Sequence, residues 1–276
     1  MIQDFIFTYQ GVIESIGINA LLALSLYIVL AIGQLSLGQA AFMGIGAYGS
    51  ALLTLRLDLP FPLVLLAASG LPALAAVVIG RPTSRLSGVY LALATIGFGE
   101  VMRSLYINAA LTGGALGLSG IPERAGFGWI YGTLAVVLAA LTLLCRSRIG
   151  RAMVAMREDE IAAAVMGVDL ARYKLAALVA SAALAGLAGA FNAHSSSFIA
   201  PGEFGFDAAV TILSFALLGG IGSPFGPVLG AVILTLLPEL LRPLQDFRLA
   251  VNGLIIVLAV LFMPRGLLPW RIGRAG

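Results

Sequence analysis

Charge is what this sequence has least of. Of 276 residues, 11% are charged and 60% hydrophobic, against about 25% and about 45–50% in a soluble domain, which excludes a water-soluble globule. Cysteine and histidine are down to one each, Cys145 and His194. A lone cysteine closes no intrachain disulfide, and the two together build neither a cysteine cluster nor a histidine-rich metal box. Lysine is reduced to Lys174, and no Gly-x-x-x-x-Gly-Lys-[Ser/Thr] run occurs, so the chain has no usual loop for cradling a nucleotide. The first ten residues hold Asp4 and no basic side chain. The positive region that opens a cleavable signal peptide is missing, and the first apolar segment is expected to stay.

What is abundant is apolar sequence, in runs at about 12–32, 35–55, 62–80, 87–108, 127–145, 173–193, 208–240 and 248–264. A bilayer core about 30 Å thick takes about 20 apolar residues per helical crossing, so the chain predicts an all-α polytopic membrane protein. The 34 Gly and 12 Pro are spread through these runs, where membrane helices tolerate both. The run 208–240 is long for one crossing, and Gly219, Gly220, Gly222 and Gly226 with Pro224 and Pro227 interrupt it. Splitting it there gives about nine transmembrane helices, within a range of about eight to ten. A re-entrant pair at this point would give seven crossings plus a hairpin. One transmembrane domain over 1–276 is expected.

Orientation follows from the basic residues, which are retained on the cytoplasmic side of short loops. Arg81, Arg85, six cations between Arg146 and Lys174, and Arg265, Arg271 and Arg274 fall on one side; Arg56, Arg124, Arg242 and Arg248 fall on the other. This bias places the N-terminus outside and the C-terminus in the cytoplasm. The formal charge of +3 then reports orientation and lipid contact, not a nucleic-acid partner.

The one polar interruption, 146–174, concentrates six basic and four acidic residues. Glu158, Asp159 and Glu160 precede an Ala-rich run that ends at Gly167, which predicts one short exposed helix with acids at its favourable end. Ile161, Val165 and Met166 are available for an apolar contact, so the segment reads either as a charged loop or as a helix that docks in a partner's groove.

The run from Arg157 to Gly167, including Glu160 and Ala163, resembles the EAA-type loop by which permease subunits of bacterial ABC importers engage their ATPases. Residues 33–48, 86–95, 181–190 and 219–231 are similar, in collinear order, to the LivM-type permease of branched-chain amino acid uptake systems. That resemblance implies an importer in the bacterial inner membrane. Its other parts would be a second, LivH-type permease, two ATPases that bind ATP and magnesium, and a substrate-binding protein. This chain would be no enzyme and hold no cofactor, and Arg157, Glu158, Asp159, Glu160, Ala163 and Gly167 would form its ATPase-coupling segment. Related permeases imply a second possibility, the same machine moving urea, short amides or another small solute. A self-sufficient ion-coupled transporter or channel would need more intramembrane ionisable groups than Glu100 and Arg103.

Several polar residues lie inside the apolar runs. Gln34, Ser36, Gln39 and Tyr48, among small residues, either hydrogen-bond neighbouring helices or line a water-filled path. Glu100 and Arg103, three apart, share a helix face and are expected to pair, as a structural pair or as a gate that contacts a substrate carboxylate. His194 is expected to be hydrated at the outer interface. Glu203 and Asp207 read as solvated loop acids or as attractors for basic residues of a docked binding protein. The glycines 219, 220, 222 and 226 are read as a packed turn or a hinge.

Overall fold

The computed structural model describes residues 2–84, 86–240 and 267. The expected crossing at 248–264 and the C-terminal cations lie outside these residues. Ten α-helices follow one another: α1 Ile2–Leu30, α2 Gln39–Leu57, α3 Phe61–Thr83, α4 Val89–Asn108, α5 Phe127–Arg146, α6 Arg148–Glu158, α7 Glu160–Val165, α8 Leu170–Ser196, α9 Phe206–Gly219 and α10 Phe225–Leu240. Among the described residues the chain is all-α apart from one two-stranded clip, in which β1 Leu118–Ser119 pairs antiparallel with β2 Phe198–Ile199.

Five of these helices are long and apolar enough to cross a membrane: residues 10–30 of α1, then α2, α3, α5 and α8. The chain is a multi-pass membrane protein. α4 has 20 residues but carries Glu100 and Arg103. α9 and α10 are the two halves of the long apolar run, split at the expected glycines. At 14 and 16 residues they reach about 21 and 24 Å, less than a hydrocarbon core.

α8 is the central helix, packed against α1, α2 and α3. Lipid tails are as apolar as leucine, so helices in a bilayer associate through close packing, which small residues favour. α8 buries Ala182, Ala185, Gly186, Ala188, Gly189, Ala190 and Ala193. A Cβ on Gly46 of α2 would collide with the Gly186 carbonyl, one on Gly186 with the Ala68 carbonyl of α3, and one on Gly189 with Met43. The backbones of α2, α8 and α3 therefore approach closely at one level, with the Pro72 ring of α3 also packed against Gly186.

The expectation that a helix covers residues 35–38 is corrected. α1 ends at Leu30 and α2 starts at Gln39, with a non-helical segment between them. Gly33 turns at φ +78°, a conformation that costs glycine no steric penalty. The segment enters the protein beside α4 and α8. Its backbone groups are satisfied there, the Leu37 N–H by Thr95 Oγ1 at 2.9 Å and the Gly38 N–H by Ser36 Oγ at 3.3 Å. This is how irregular backbone is accommodated at membrane depth.

Candidate functional site

Two ends of the helix bundle carry the polar groups. The proximal end holds residues 146–169, the α1–α2 break and the α9–α10 turn; the distal end holds the β clip and the α2–α3 turn.

At the proximal end the single expected helix is two helices, a correction with a local cause. Ser147 caps α6, its Oγ accepting from the N–H groups of Ile149 and Gly150. Asp159 leaves helical geometry and its carboxylate accepts from Ile161 N at 2.8 Å and Ala162 N at 3.0 Å. That side chain competes with the ongoing helix and starts a new one. Glu158 thus closes α6, Asp159 is the joint, and Glu160 opens α7. Gly167, at φ +89°, ends α7 with a Val168 N–H bond to the Ala163 carbonyl, the αL stop expected of a glycine there.

The faces of α7 differ sharply. Ala163 is buried, whereas Ile161, Val165 and Met166 are 79%, 83% and 84% exposed. The exposed face of α7 is thus an apolar row on a short helix, the kind of face that amphipathic helices lay into partner grooves. Behind α7, Lys174 Nζ donates to Glu160 Oε2 at 2.8 Å. Arg157 donates to the Ile221 carbonyl in the α9–α10 turn at 3.4 Å, and its backbone lies against Gly33. The segment resembling a coupling loop therefore touches three elements of the bundle. Sequence reasoning missed the role of Lys174, although its place one turn inside an apolar helix was a signal that it needs a partner.

The residues singled out between the ends are buried together along α2 and its break. Gln34, Ser36, Gln39 and Tyr48 are all buried. Gln39 Nε2 donates to Ser181 Oγ of α8 at 3.2 Å. Tyr48 stacks on Tyr106 with ring centroids 4.5 Å apart and meets Phe204 edge-on at 5.7 Å. Gln34 Nε2, Gln39 Oε1 and the Tyr48 hydroxyl have no hydrogen-bond partner among the described residues. Buried polar atoms are rarely left so. A small open cleft lined by Leu37, Ala40, Gly99, Glu100, Phe204 and Ala209, residues that neighbour these three in sequence or packing, lies between α2, α4 and α9. Glu100 and Arg103 do pair, at 2.9 Å, with both side chains about two-fifths exposed, at the edge of that cleft.

At the distal end, His194 corrects the expectation of a hydrated side chain. α8 runs to Ser196 and His194 is fully buried. Nδ1 lies 3.0 Å from the Ala190 carbonyl, Nε2 lies 3.0 Å from Thr54 Oγ1, and the ring packs against Phe61. The row Gly186, Ala190 and His194, spaced four apart on the inward face of α8, was the missed signal. Glu14, also missed, is buried near the start of the first apolar run; it accepts from Gln10 at 3.0 Å and from Ser195. Arg124 donates to Asp58 at 2.5 Å and to the Leu59 carbonyl at 3.0 Å. Glu203 stands in a 3₁₀ turn, Pro201–Phe204, where partial desolvation pushes its carboxyl up, opposed by hydrogen bonds from the Ala200 region and Asn192. Asp207 lies in the first turn of α9, the favourable end for an acid.

The glycines read as a packed turn or a hinge are tightly packed. A Cβ on Gly219 would strike the Gly226 backbone, and one on Gly226 would strike Gly219 and Gly220. Gly220 sits at φ +89°, and Gly222 lies in the turn between α9 and α10.

The chain matches the family described as branched-chain amino acid transport system, permease component, over residues 9–263. It is 35% identical over 293 aligned residues to the high-affinity branched-chain amino acid transport system permease protein LivM of Salmonella typhimurium, and equally to that of Escherichia coli. Each alignment covers 94% of this chain and 67% of the relative. Its similarity to LivH of Escherichia coli is 34% over 143 residues, 51% of this chain and 46% of the relative. The ribose import permease protein RbsC of Haemophilus influenzae is 23% identical over 91% of this chain and 83% of its own length. No solved structure matches the chain. With a family match that spans nearly all its helices and LivM-like sequence throughout, the chain belongs to the permease components of branched-chain amino acid transport systems and is of the LivM type.

Proposed function

We propose that this chain is one of two permease subunits of an ATP-driven importer in the bacterial inner membrane. In this reading it pairs with a LivH-type chain and conducts branched-chain or other neutral amino acids inward. Two partner ATPases bind ATP and magnesium and supply the energy, and a binding protein delivers the solute at the distal end. The proximal end faces the cytoplasm, in keeping with the cations of 146–174. The observation that carries the reading is the exposed row Ile161, Val165 and Met166 on α7, an apolar face suited to an ATPase groove, flanked by Arg157, Glu158, Asp159, Glu160, Ala163 and Gly167.

The path for solute runs beside the α1–α2 break. Gln34, Gln39 and Tyr48 carry polar atoms without partners among the described residues, Ser36 accepts from the Gly38 N–H just before α2, and Glu100 and Arg103 stand at the cleft edge. A zwitterion with an apolar side chain suits a path with amide, hydroxyl and aromatic groups and one charge pair. Gly219, Gly220, Gly222 and Gly226 serve as a packed turn that moves as a unit. Similarity to a ribose import permease favours one second reading, the same machine moving another small solute.

The test is uptake of labelled leucine into vesicles holding this chain, its permease partner and the ATPases, with binding protein outside. ATP-dependent uptake is expected, and uptake by this chain alone on an ion gradient would overturn the reading. Competition by urea, short amides or ribose in place of leucine would move it to the second one.

A further inference from the structure

We infer that the Glu160–Lys174 ion pair is the strut by which movement of α7 is passed into α8; the inference rests on the proposed ATPase-driven function. Lys174 is the sole lysine of the chain. Its side chain is 6% exposed, and its ammonium is held 2.8 Å from Glu160 Oε2. Glu160 is the first residue of α7 and Lys174 lies near the start of α8. The pair thus joins the helix carrying the exposed apolar row to the central helix of the bundle.

α7 has little else to hold it. It is six residues long, shorter than a helix that stands alone in water, and breaks at Asp159 and Gly167 separate it from α6 and α8. Ala163 is its one buried residue. A force applied to Ile161, Val165 and Met166 passes to the bundle through the Ala163 contact, the backbone on either side, and the ion pair. α8 receives it in a tightly packed setting, since Gly186 and Gly189 bring its backbone against those of α2 and α3 with no room for a Cβ. Close-packed interiors transmit displacement and do not absorb it. Arg157, bonded to the Ile221 carbonyl, provides a parallel link to the α9–α10 turn.

Stability does not account for the pair. Lys174 is buried and Glu160 is 34% exposed; taking such charges from water costs about as much as their attraction returns, and apolar replacements of similar volume are often neutral or stabilising. What an ion pair adds is a fixed geometry between two helices. Glu160 is a positioning residue in this account and Lys174 its anchor.

The experiment uses the reconstituted complex and reads solute moved per ATP hydrolysed, together with the amount of assembled complex and its thermal midpoint. The neutral pair Glu160→Gln with Lys174→Met leaves no buried charge alone. It is expected to assemble at the wild-type midpoint and to lower solute per ATP about fivefold or more, the lower bound of a site-to-site coupling. The swap Glu160→Lys with Lys174→Glu is expected to restore most of the ratio. An unchanged ratio in the neutral pair would overturn the strut. A swap that restores nothing would also overturn it, because Glu160 would then act on a partner and not on Lys174; if the neutral pair does not assemble, the swap alone decides. A wild-type complex that hydrolyses ATP and moves no solute would overturn the functional reading itself, and the strut with it.

Discussion

The two ends of the bundle use similar polar residues for different purposes. At the distal end, Thr54–His194 joins α2 to α8, Glu14–Ser195 joins α1 to α8, and Arg124 holds the α2–α3 turn through Asp58 and Leu59. These contacts mostly tie long core helices to one another. At the proximal end, Glu160–Lys174 and Arg157–Ile221 tie short segments outside the core to elements inside it. The distal end is welded and the proximal end is jointed. On the proposed reading, the placement of a polar contact, and not its presence, separates a stabilising contact from a transmitting one.

The largest effect that would break this comparison lies at the joint. Ile161→Asp with Met166→Asp puts two charges on the exposed row. It is expected to abolish co-purification of the ATPases while the permease pair stays assembled, because apolar anchors dominate such interfaces at roughly 2 kcal/mol or more each. Retention of the ATPases would remove α7 as the docking surface.

Next comes the close approach that lets α8 act as one body with α2 and α3. Gly186→Val inserts three carbons where no space exists, and overpacking of this kind costs about 1–3 kcal/mol or more. The amount of folded chain extracted from membranes should fall sharply, and a normal yield would mean that these backbones can part.

At the weld, His194→Leu leaves Thr54 and the Ala190 carbonyl without their ring partner. The expected loss is about 1–3 kcal/mol, read as a lower thermal midpoint with solute per ATP unchanged. A changed ratio at an unchanged midpoint would make the distal end a joint as well. Between the ends, Arg103→Ala, checked for normal membrane levels, is expected to raise the substrate concentration needed for half-maximal uptake roughly tenfold. Unchanged uptake would leave the Glu100–Arg103 pair a structural one.

The smallest effect is at Glu203. Its folded-state carboxyl is pushed up by partial desolvation, so the ionised form is disfavoured in the fold. That penalty exists above the raised value and vanishes as pH falls below the ordinary carboxylate range. Glu203→Gln should therefore raise the thermal midpoint slightly at pH 8 and leave it unchanged at pH 4. The opposite sign would show that the Asn192 contact outweighs desolvation.

Much of the fold was legible because membrane crossings are written in composition. The helices matching the runs before residue 241, the split of 208–240 and the stop at Gly167 all follow from apolar length and from where glycine and proline fall. The pairing of Glu100 with Arg103 follows from helical spacing. The helix break at 31–38 was not legible, since Leu35 and Leu37 read as membrane helix while the capping of Leu37 by Thr95 comes from 58 residues away. Asp159 as a joint was hidden because three successive acids all suit a helix start. His194 was misread as hydrated, and Glu14 and Lys174 were passed over, for one reason. Each stands near the end of an apolar run, where sequence alone favours solvent, and only the packing of other helices shows that each faces inward.

The most direct measurement compares the two ends in one complex: thermal midpoint and solute per ATP for Glu160→Gln with Lys174→Met, and for Thr54→Val with His194→Leu. The account predicts that the first lowers the ratio and spares the midpoint, while the second lowers the midpoint and spares the ratio. The same response from both would contradict it.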